Sequence, residues 1–328
     1  MFNQKEEPIL EAKHVTRIFP ASGGRFLRAN NDINLKLYRG RTLGIVGESG
    51  CGKSTLMRML VQLDRPTEGA IFFAGKNIAS MNKKERREDR RHIQMVFQDP
   101  SSAFNPKMKI KDIICEPLLN FGVISGKEKD AEARRLLRLV DLPEEFADRY
   151  PHNMSGGQRQ RVGIARAIAL EPEVVLCDEA TSALDVSVQK NIMELLVKLQ
   201  REKNIAIGFI CHDIALVSQI SHQIAVMYLG NVVEVLPGAQ MKEAARHPYS
   251  MALLGSVFDT NMDFTQKIES IDSEIPSPLD VPPGCPFQNR CDQCMEICRK
   301  ERPALRKIGE GHEVACHLFD EEKGGEEG

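Results

Sequence analysis

Leu43-Gly44-Ile45-Val46-Gly47-Glu48-Ser49-Gly50-Cys51-Gly52-Lys53-Ser54-Thr55 is the stretch whose reading decides the fold. Leu43 to Val46 form an apolar, strand-like run, and Leu56, Leu60 and Leu63 follow the glycine-rich turn at helical spacing. Strand, loop and helix therefore stand in the order that phosphate binding requires. The glycines let consecutive amides turn toward phosphates, Lys53 supplies positive charge to a β- and γ-phosphate, and the Ser54 hydroxyl is placed to ligate magnesium. A glycine-rich turn alone could match by chance; the flanking strand and helix make a phosphate loop of an α/β nucleotide-binding fold the better reading.

Further along, Val174-Val175-Leu176-Cys177 is apolar at every position, as a parallel strand buried on both faces should be, and it ends in Asp178-Glu179. Carboxylates at such a strand end lie where open α/β sheets bind ligands. Asp178 would join the magnesium shell, and Glu179 would polarise a water attacking the γ-phosphate. Ile205 to Cys211 form another strand-like run that ends in His212, whose imidazole could donate to the same phosphate. Between these elements lies Met154-Ser155-Gly156-Gly157-Gln158-Arg159-Gln160-Arg161. Ser155 is a natural helix N-cap, the glycines leave the backbone bare, and Val162, Ile164, Ala165, Ile168 and Ala169 continue an amphipathic helix until Pro172. A helix start of this kind faces an anion well.

Taken in order, the phosphate loop, Gln98 in Gln94-Met95-Val96-Phe97-Gln98-Asp99-Pro100, Ser155 to Gln158, Asp178-Glu179 and His212 resemble the nucleotide-binding subunit of an ABC transporter. Ser182-Ala183-Leu184-Asp185 resembles the D-loop of that family. The resemblance implies a P-loop ABC ATPase domain with a mostly parallel core sheet, an antiparallel β subdomain and a helical subdomain. It further implies ATP and Mg2+ as ligands, with two such domains packed head to tail and each ATP lying between one phosphate loop and the other signature helix. Glu179, His212 and Gln98 would be the catalytic residues; Ser54, Gln98 and Asp178 would surround the magnesium. An aromatic residue ahead of the phosphate loop would stack on adenine, with Phe19 preferred and Phe26 and Tyr38 as alternatives. Ala180 stands where many relatives have proline and Met154 where leucine is commoner, but neither change removes a catalytic group.

The composition agrees with this reading. Across 328 residues, 44 basic and 46 acidic side chains leave a net charge of only -2, without the global basic field that nucleic-acid binding usually leaves. The run Lys83 to Arg91 mixes signs and reads as a solvated helix face. No apolar run approaches the roughly eighteen residues a membrane span needs, and Met1 to Glu7 is too polar for a secretory signal. The expectation is a cytosolic chain bound peripherally to the inner face of a prokaryotic membrane. Helical spacings of Ile110, Ile113, Ile114 and Leu118, then Leu136, Leu137 and Val140, fall in a subdomain placed at about 101–165, which in the family receives the permeases.

A second signal lies near the C-terminus, where Ile275-Pro276-Ser277-Pro278-Leu279-Asp280-Val281-Pro282-Pro283-Gly284 reads as a stiff connector. Five of the nine cysteines follow it: Cys285, Cys291, Cys294, Cys298 and Cys316, with five, two, three and seventeen residues between neighbours. The other four, Cys51, Cys115, Cys177 and Cys211, read as small apolar residues. A cytosolic setting argues for metal binding over disulfides, and the spacing alone does not choose between tetrahedral zinc and an iron–sulfur cluster.

Together with Arg246-His247-Pro248-Tyr249-Ser250 and Pro282-Pro283-Gly284-Cys285-Pro286-Phe287-Gln288-Asn289-Arg290-Cys291, this tail is similar to that of the oligopeptide and dipeptide (peptide/nickel) branch of ABC importers. That resemblance implies a [4Fe-4S] cluster on Cys285, Cys291, Cys298 and Cys316 in some members, with Cys294 an extra residue that keeps zinc open. It also implies a homologous second ATPase subunit, two permeases, an extracytoplasmic peptide-binding protein and no nucleic acid. The connector resembles that of the second ATPase subunit, so a heterodimer is expected. The domains expected are 1–237 for the nucleotide-binding unit and 238–328 for the extension, with the connector at about 275–284 and the Cys-rich region at 285–317. A nickel-chelate importer, a soluble ABC ATPase without a transport role, and a metal- or redox-regulated ATPase are the alternatives.

Overall fold

The computed structural model describes residues 6–180, 184–211, 213–255 and 277–320. Twelve strands are described: β1 (Leu10–Pro20), β2 (Phe26–Leu37), β3 (Thr42–Val46), β4 (Glu68–Phe73), β5 (Lys76–Asn77), β6 (Ile93–Val96), β7 (Val174–Asp178), β8 (Ala206–Ile210), β9 (Gln223–Tyr228), β10 (Asn231–Pro237), β11 (Arg306–Gly309) and β12 (His312–Val314). They form an antiparallel sheet in the order β2-β1-β4-β5 and a larger sheet in the order β11-β12-β10-β9-β3-β8-β7-β6.

Within the larger sheet, β6, β7, β8, β3 and β9 are mutually parallel. Every residue of β3 and β8 is buried, which explains their continuous apolar sequence: helices cover both faces of a parallel sheet, so there is no wet side to alternate toward. Parallel pairing also sends the C-terminal ends of neighbouring strands to one edge. The expected ABC ATPase fold is therefore present, with its mostly parallel core, antiparallel β subdomain and helical part.

The helical part is built from Ile110–Asn120, Lys129–Leu139 and Gly156–Ile168, which pack on one another around Ile113, Ile114, Leu136, Leu137 and Val162. The last of these helices stops at Ile168, short of Pro172, with Ala169 as its C-cap. Proline restricts the residue before it, and the chain leaves the helix ahead of that restriction. Cys51, Cys115, Cys177 and Cys211 are all buried, in keeping with their reading as small apolar residues.

The C-terminal extension is joined to the core sheet. β12 pairs antiparallel with β10 through Glu234 opposite Val314 and Val235 opposite Glu313, so the hairpin of β11 and β12 lengthens the nucleotide-binding sheet. Cys285, Phe287 and Cys298 share one hydrophobic cluster with Tyr228 and Tyr249. A buried carboxylate secures this junction: Glu234 is 0% exposed and accepts from the amides of Arg246 (2.8 Å) and His247 (3.1 Å) and from His312 Nε2 (2.8 Å). Replacing Glu234 by alanine would strand these buried donors, at about 1–3 kcal/mol each. Urea unfolding of Glu234→Ala should show a loss on the order of 3 kcal/mol; an unchanged midpoint would mean that this junction does not secure the extension.

Candidate functional site

The phosphate loop follows β3 directly, and its shape depends on close backbone contacts. Gly52, the N-cap of the helix Lys53–Leu60, has φ 102°, and a Cβ there would lie 2.1 Å from the Ala29 carbonyl oxygen of β2. Only glycine allows both this left-handed backbone and this approach. Lys53 is buried, and its Nζ donates to the carbonyls of Gly47 (2.8 Å) and Glu48 (2.9 Å), so its charge lies within the loop. Gly50 also has positive φ, while Ser49, Cys51 and Thr55 complete the turn into the helix.

The carboxylates arrive from β7. Asp178, its last residue, lies in register with Ile210 of β8, and the Ser54 hydroxyl donates to Asp178 Oδ1 at 3.0 Å. Two oxygens of a kind that could hold a divalent cation thus come together across β3, β8 and β7. Burial raises the pKa of Asp178; the Ser54 hydrogen bond opposes that rise and the neighbouring Glu179 adds to it. Proton competition for this carboxylate accordingly begins at a higher pH than for a solvated aspartate.

Glu179 turns off the strand with φ 49°, an uncommon conformation for a residue with a side chain, and its amide donates to the Ile210 carbonyl at 3.1 Å. Gln98, carried just beyond β6, donates from Nε2 to Glu179 Oε2 at 2.8 Å. Gln98 and Glu179 therefore meet, as do Ser54 and Asp178. His212 lies outside the described residues, as do Ser182 and Ala183 of the D-loop.

Phe19 pairs with Leu27 across β1 and β2, two residues from the Ala29 that touches Gly52, so it lies on the side of the phosphate loop. The Arg17 guanidinium sits 4.4 Å from the Phe19 ring centre. Phe26 lies in the same region and is 67% exposed. Tyr38 lies ahead of β3, with that strand between it and the phosphate loop.

Ser155 is exposed and caps the helix Gly156–Ile168 with a reciprocal pair of bonds: its hydroxyl accepts from the Gln158 amide (3.3 Å), and its own amide donates to Gln158 Oε1 (2.9 Å). This helix packs on β6 and the helical subdomain, whereas the helix after the phosphate loop packs on β1, β2 and β7. The glycines have a packing role that the sequence does not reveal. A Cβ on Gly157 would come 2.5 Å from Val188 Cγ1, and one on Gly156 would come 3.3 Å from Leu184 Cδ2.

In the Cys-rich region, Cys285 and Cys298 are buried, and Cys291, Cys294 and Cys316 are partly so. Burial pushes the thiol of Cys285 up to about 12 and that of Cys316 up to about 11, and both feel Cys291 and Cys298 through space. Cys291 is raised by burial too, with Cys294 and Cys298 adding to it. Among the described residues, no group of three or more His, Cys, Asp or Glu side chains is placed to hold a single metal ion. No described helix is long and apolar enough to cross a membrane.

Comparison with known proteins accounts for both parts of the chain. A family model described as "ABC transporter" matches residues 30–182, and one described as "Oligopeptide/dipeptide transporter, C-terminal region" matches 233–298. The oligopeptide transport ATP-binding protein AppF of Bacillus subtilis is 42% identical over 323 residues, covering 96% of this chain and 98% of that one. The chain belongs to the ABC transporter ATP-binding family. The di/tripeptide transport ATP-binding protein DppF of Pseudomonas aeruginosa is likewise 42% identical to this ABC subunit, over 95% of this chain and 98% of its own. Among solved structures, the dimeric post-hydrolysis state of the ATP-binding cassette MJ0796 bound to ADP and Pi superposes with a TM-score of 0.64 at 32% identity, covering 70% of this chain and 98% of that one.

The Gly157 contact yields a test within this ABC subunit. Gly157→Ala should destabilise the fold by about 1–3 kcal/mol, the usual cost of overpacking, and Val188→Ala in the same chain should recover most of that loss. Thermal unfolding of the single and double variants would measure this, and absence of rescue would return Gly157 to a purely anion-facing role.

Proposed function

We propose that this ABC subunit hydrolyses ATP to energise uptake of oligopeptides or dipeptides through membrane permeases. Carrying this reading is one combination: the strand-end site and a peptide-transporter C-terminal match that begins within β10 share one sheet. The names of its relatives favour a peptide over a nickel chelate as the transported molecule.

In the proposed mechanism Lys53 leaves the loop carbonyls for the β- and γ-phosphates, while the amides of Gly47 to Thr55 cradle them. Ser54, Asp178 and Gln98 would hold Mg2+, which when bound neutralises charge on the phosphates. The Ser54–Asp178 contact supports that ligand set. Glu179 accepts the proton of the attacking water, Gln98 orients both, and His212 donates to the γ-phosphate. Phe19 packs on adenine. Ser155, Gly156, Gly157 and Gln158 close over ATP held by a partner's phosphate loop; the exposed, capped helix start suits an anion approaching from outside the chain. Residues 1–237 serve as the nucleotide-binding unit and 238–328 as the extension.

The partner is a homologous ATPase subunit in a pseudo-symmetric heterodimer on the cytoplasmic face of the membrane. Two permeases dock beside an apolar groove lined by Val61, Phe97, Pro100, Phe104 and Pro117, and an extracytoplasmic binding protein delivers the peptide. Glu179→Gln should keep ATP affinity and lose turnover by about 10²–10⁴-fold. Near-normal phosphate release by that variant would remove Glu179 as the base, and failure of any permease to copurify with the chain would count against transport.

For the tail, the reading is a [4Fe-4S] cluster on Cys285, Cys291, Cys298 and Cys316. Cys285 and Cys316 each interact through space with Cys291 and Cys298, so these four thiols share one neighbourhood, while among the described residues no three are placed to hold a single ion. Such a cluster would cross-link the extension. Anaerobically purified protein should contain about four iron and four sulfide per chain, falling with Cys298→Ser; stoichiometric zinc instead would overturn the assignment.

A further inference from the structure

Glu48 of the phosphate loop is held by three of its groups. Its carbonyl accepts from Lys53 Nζ (2.9 Å), its amide donates to the Tyr249 hydroxyl (3.0 Å), and its carboxylate receives both arms of the Arg290 guanidinium, at 2.8 and 2.9 Å. The last two partners belong to the C-terminal extension, with Arg290 lying 242 positions away in sequence. Arg290 is nearly enclosed, its side chain 3% exposed against 18% for Glu48. It sits 5.7 Å from the Tyr228 ring centre, and Tyr228, Tyr249 and Phe287 pack edge and tilt against one another with centres 4.6–5.4 Å apart.

A bidentate Arg–carboxylate pair fixes distance and direction together, and within a low-dielectric surround it resists rearrangement. Glu48 also brings a negative charge to a loop that must receive phosphates. Left uncompensated, that charge would oppose the ligand. We propose that the Cys-rich extension sets the nucleotide affinity of the phosphate loop, with Arg290 and Tyr249 acting as positioning residues that neutralise the Glu48 carboxylate and fix its peptide group. Arg290 immediately precedes Cys291 and follows Cys285 by one short turn, Gln288–Arg290. Whatever holds those thiols in place therefore holds the guanidinium against the loop. This inference rests on the phosphate loop binding nucleotide, as argued above.

Titration of the full-length chain with ADP and Mg2+ tests it. Arg290→Ala should weaken binding about tenfold, a part of what exposing one partner of a buried charge pair costs. Adding Glu48→Gln to Arg290→Ala should recover part of that loss, because it removes the charge that Arg290 no longer neutralises. Tyr249→Phe keeps the ring and removes only the hydroxyl; it should weaken binding a few-fold while the buried thiols of Cys285 and Cys298 stay as slow to react as in the parent chain. In ATP turnover these losses should appear in KM with kcat retained. Parent-like affinity in both Arg290→Ala and Tyr249→Phe, or additive losses in the double variant, would overturn the latch while leaving nucleotide binding itself intact. No binding by the parent chain would instead remove the phosphate-loop reading on which it rests.

Discussion

The parallel hydrogen-bond register of β3, β8 and β7 is the constraint on which the rest of the structure depends. Because Thr42 to Ile45 lie beside Ile207 to Ile210, and Val174 to Asp178 lie beside Ala206 to Ile210, the chain leaves these strands at a common edge. A register slip by one residue in any of them would turn its side chains to the opposite face. It would also part Ser54 from Asp178.

Most of this framework was legible in the sequence, for a physical reason. A phosphate loop, a strand-end carboxylate pair and a capped helix start are each specified by neighbours a few residues away, so local order carries the information. Ser155 to Gln158 illustrate it: both bonds of the capping box span three positions. The end of that helix was less legible, because the apolar pattern runs on through Ala169 while the helix itself ends at Ile168.

Contacts between distant segments were not legible. Gly157 reads as bare backbone for an anion, and nothing near it in sequence announces Val188 as its neighbour. The cysteines announced a special region near the C-terminus, yet its attachment to the phosphate loop runs through Arg290, which reads as an ordinary basic residue in the middle of a motif. Short strands such as His312–Val314 carry too little pattern to foretell a partner almost eighty positions earlier, so the continuity of the sheet also went unread.

The pairing of β12 with β10 has a consequence for how this protein stays in solution. Val232, Val233, Val235 and Leu236 flank Glu234 in a buried, mostly apolar strand that would otherwise end the sheet with a row of open amides and carbonyls, the kind of border that recruits strands from other molecules and leads to aggregation. The hairpin moves that border outward to β11, which is short, fully exposed and carries Arg306 and Lys307. Cationic side chains on a short edge strand discourage further strand addition. The extension thus doubles as a guard against self-association, and a cassette expressed without it would expose a sticky border whatever its catalytic competence.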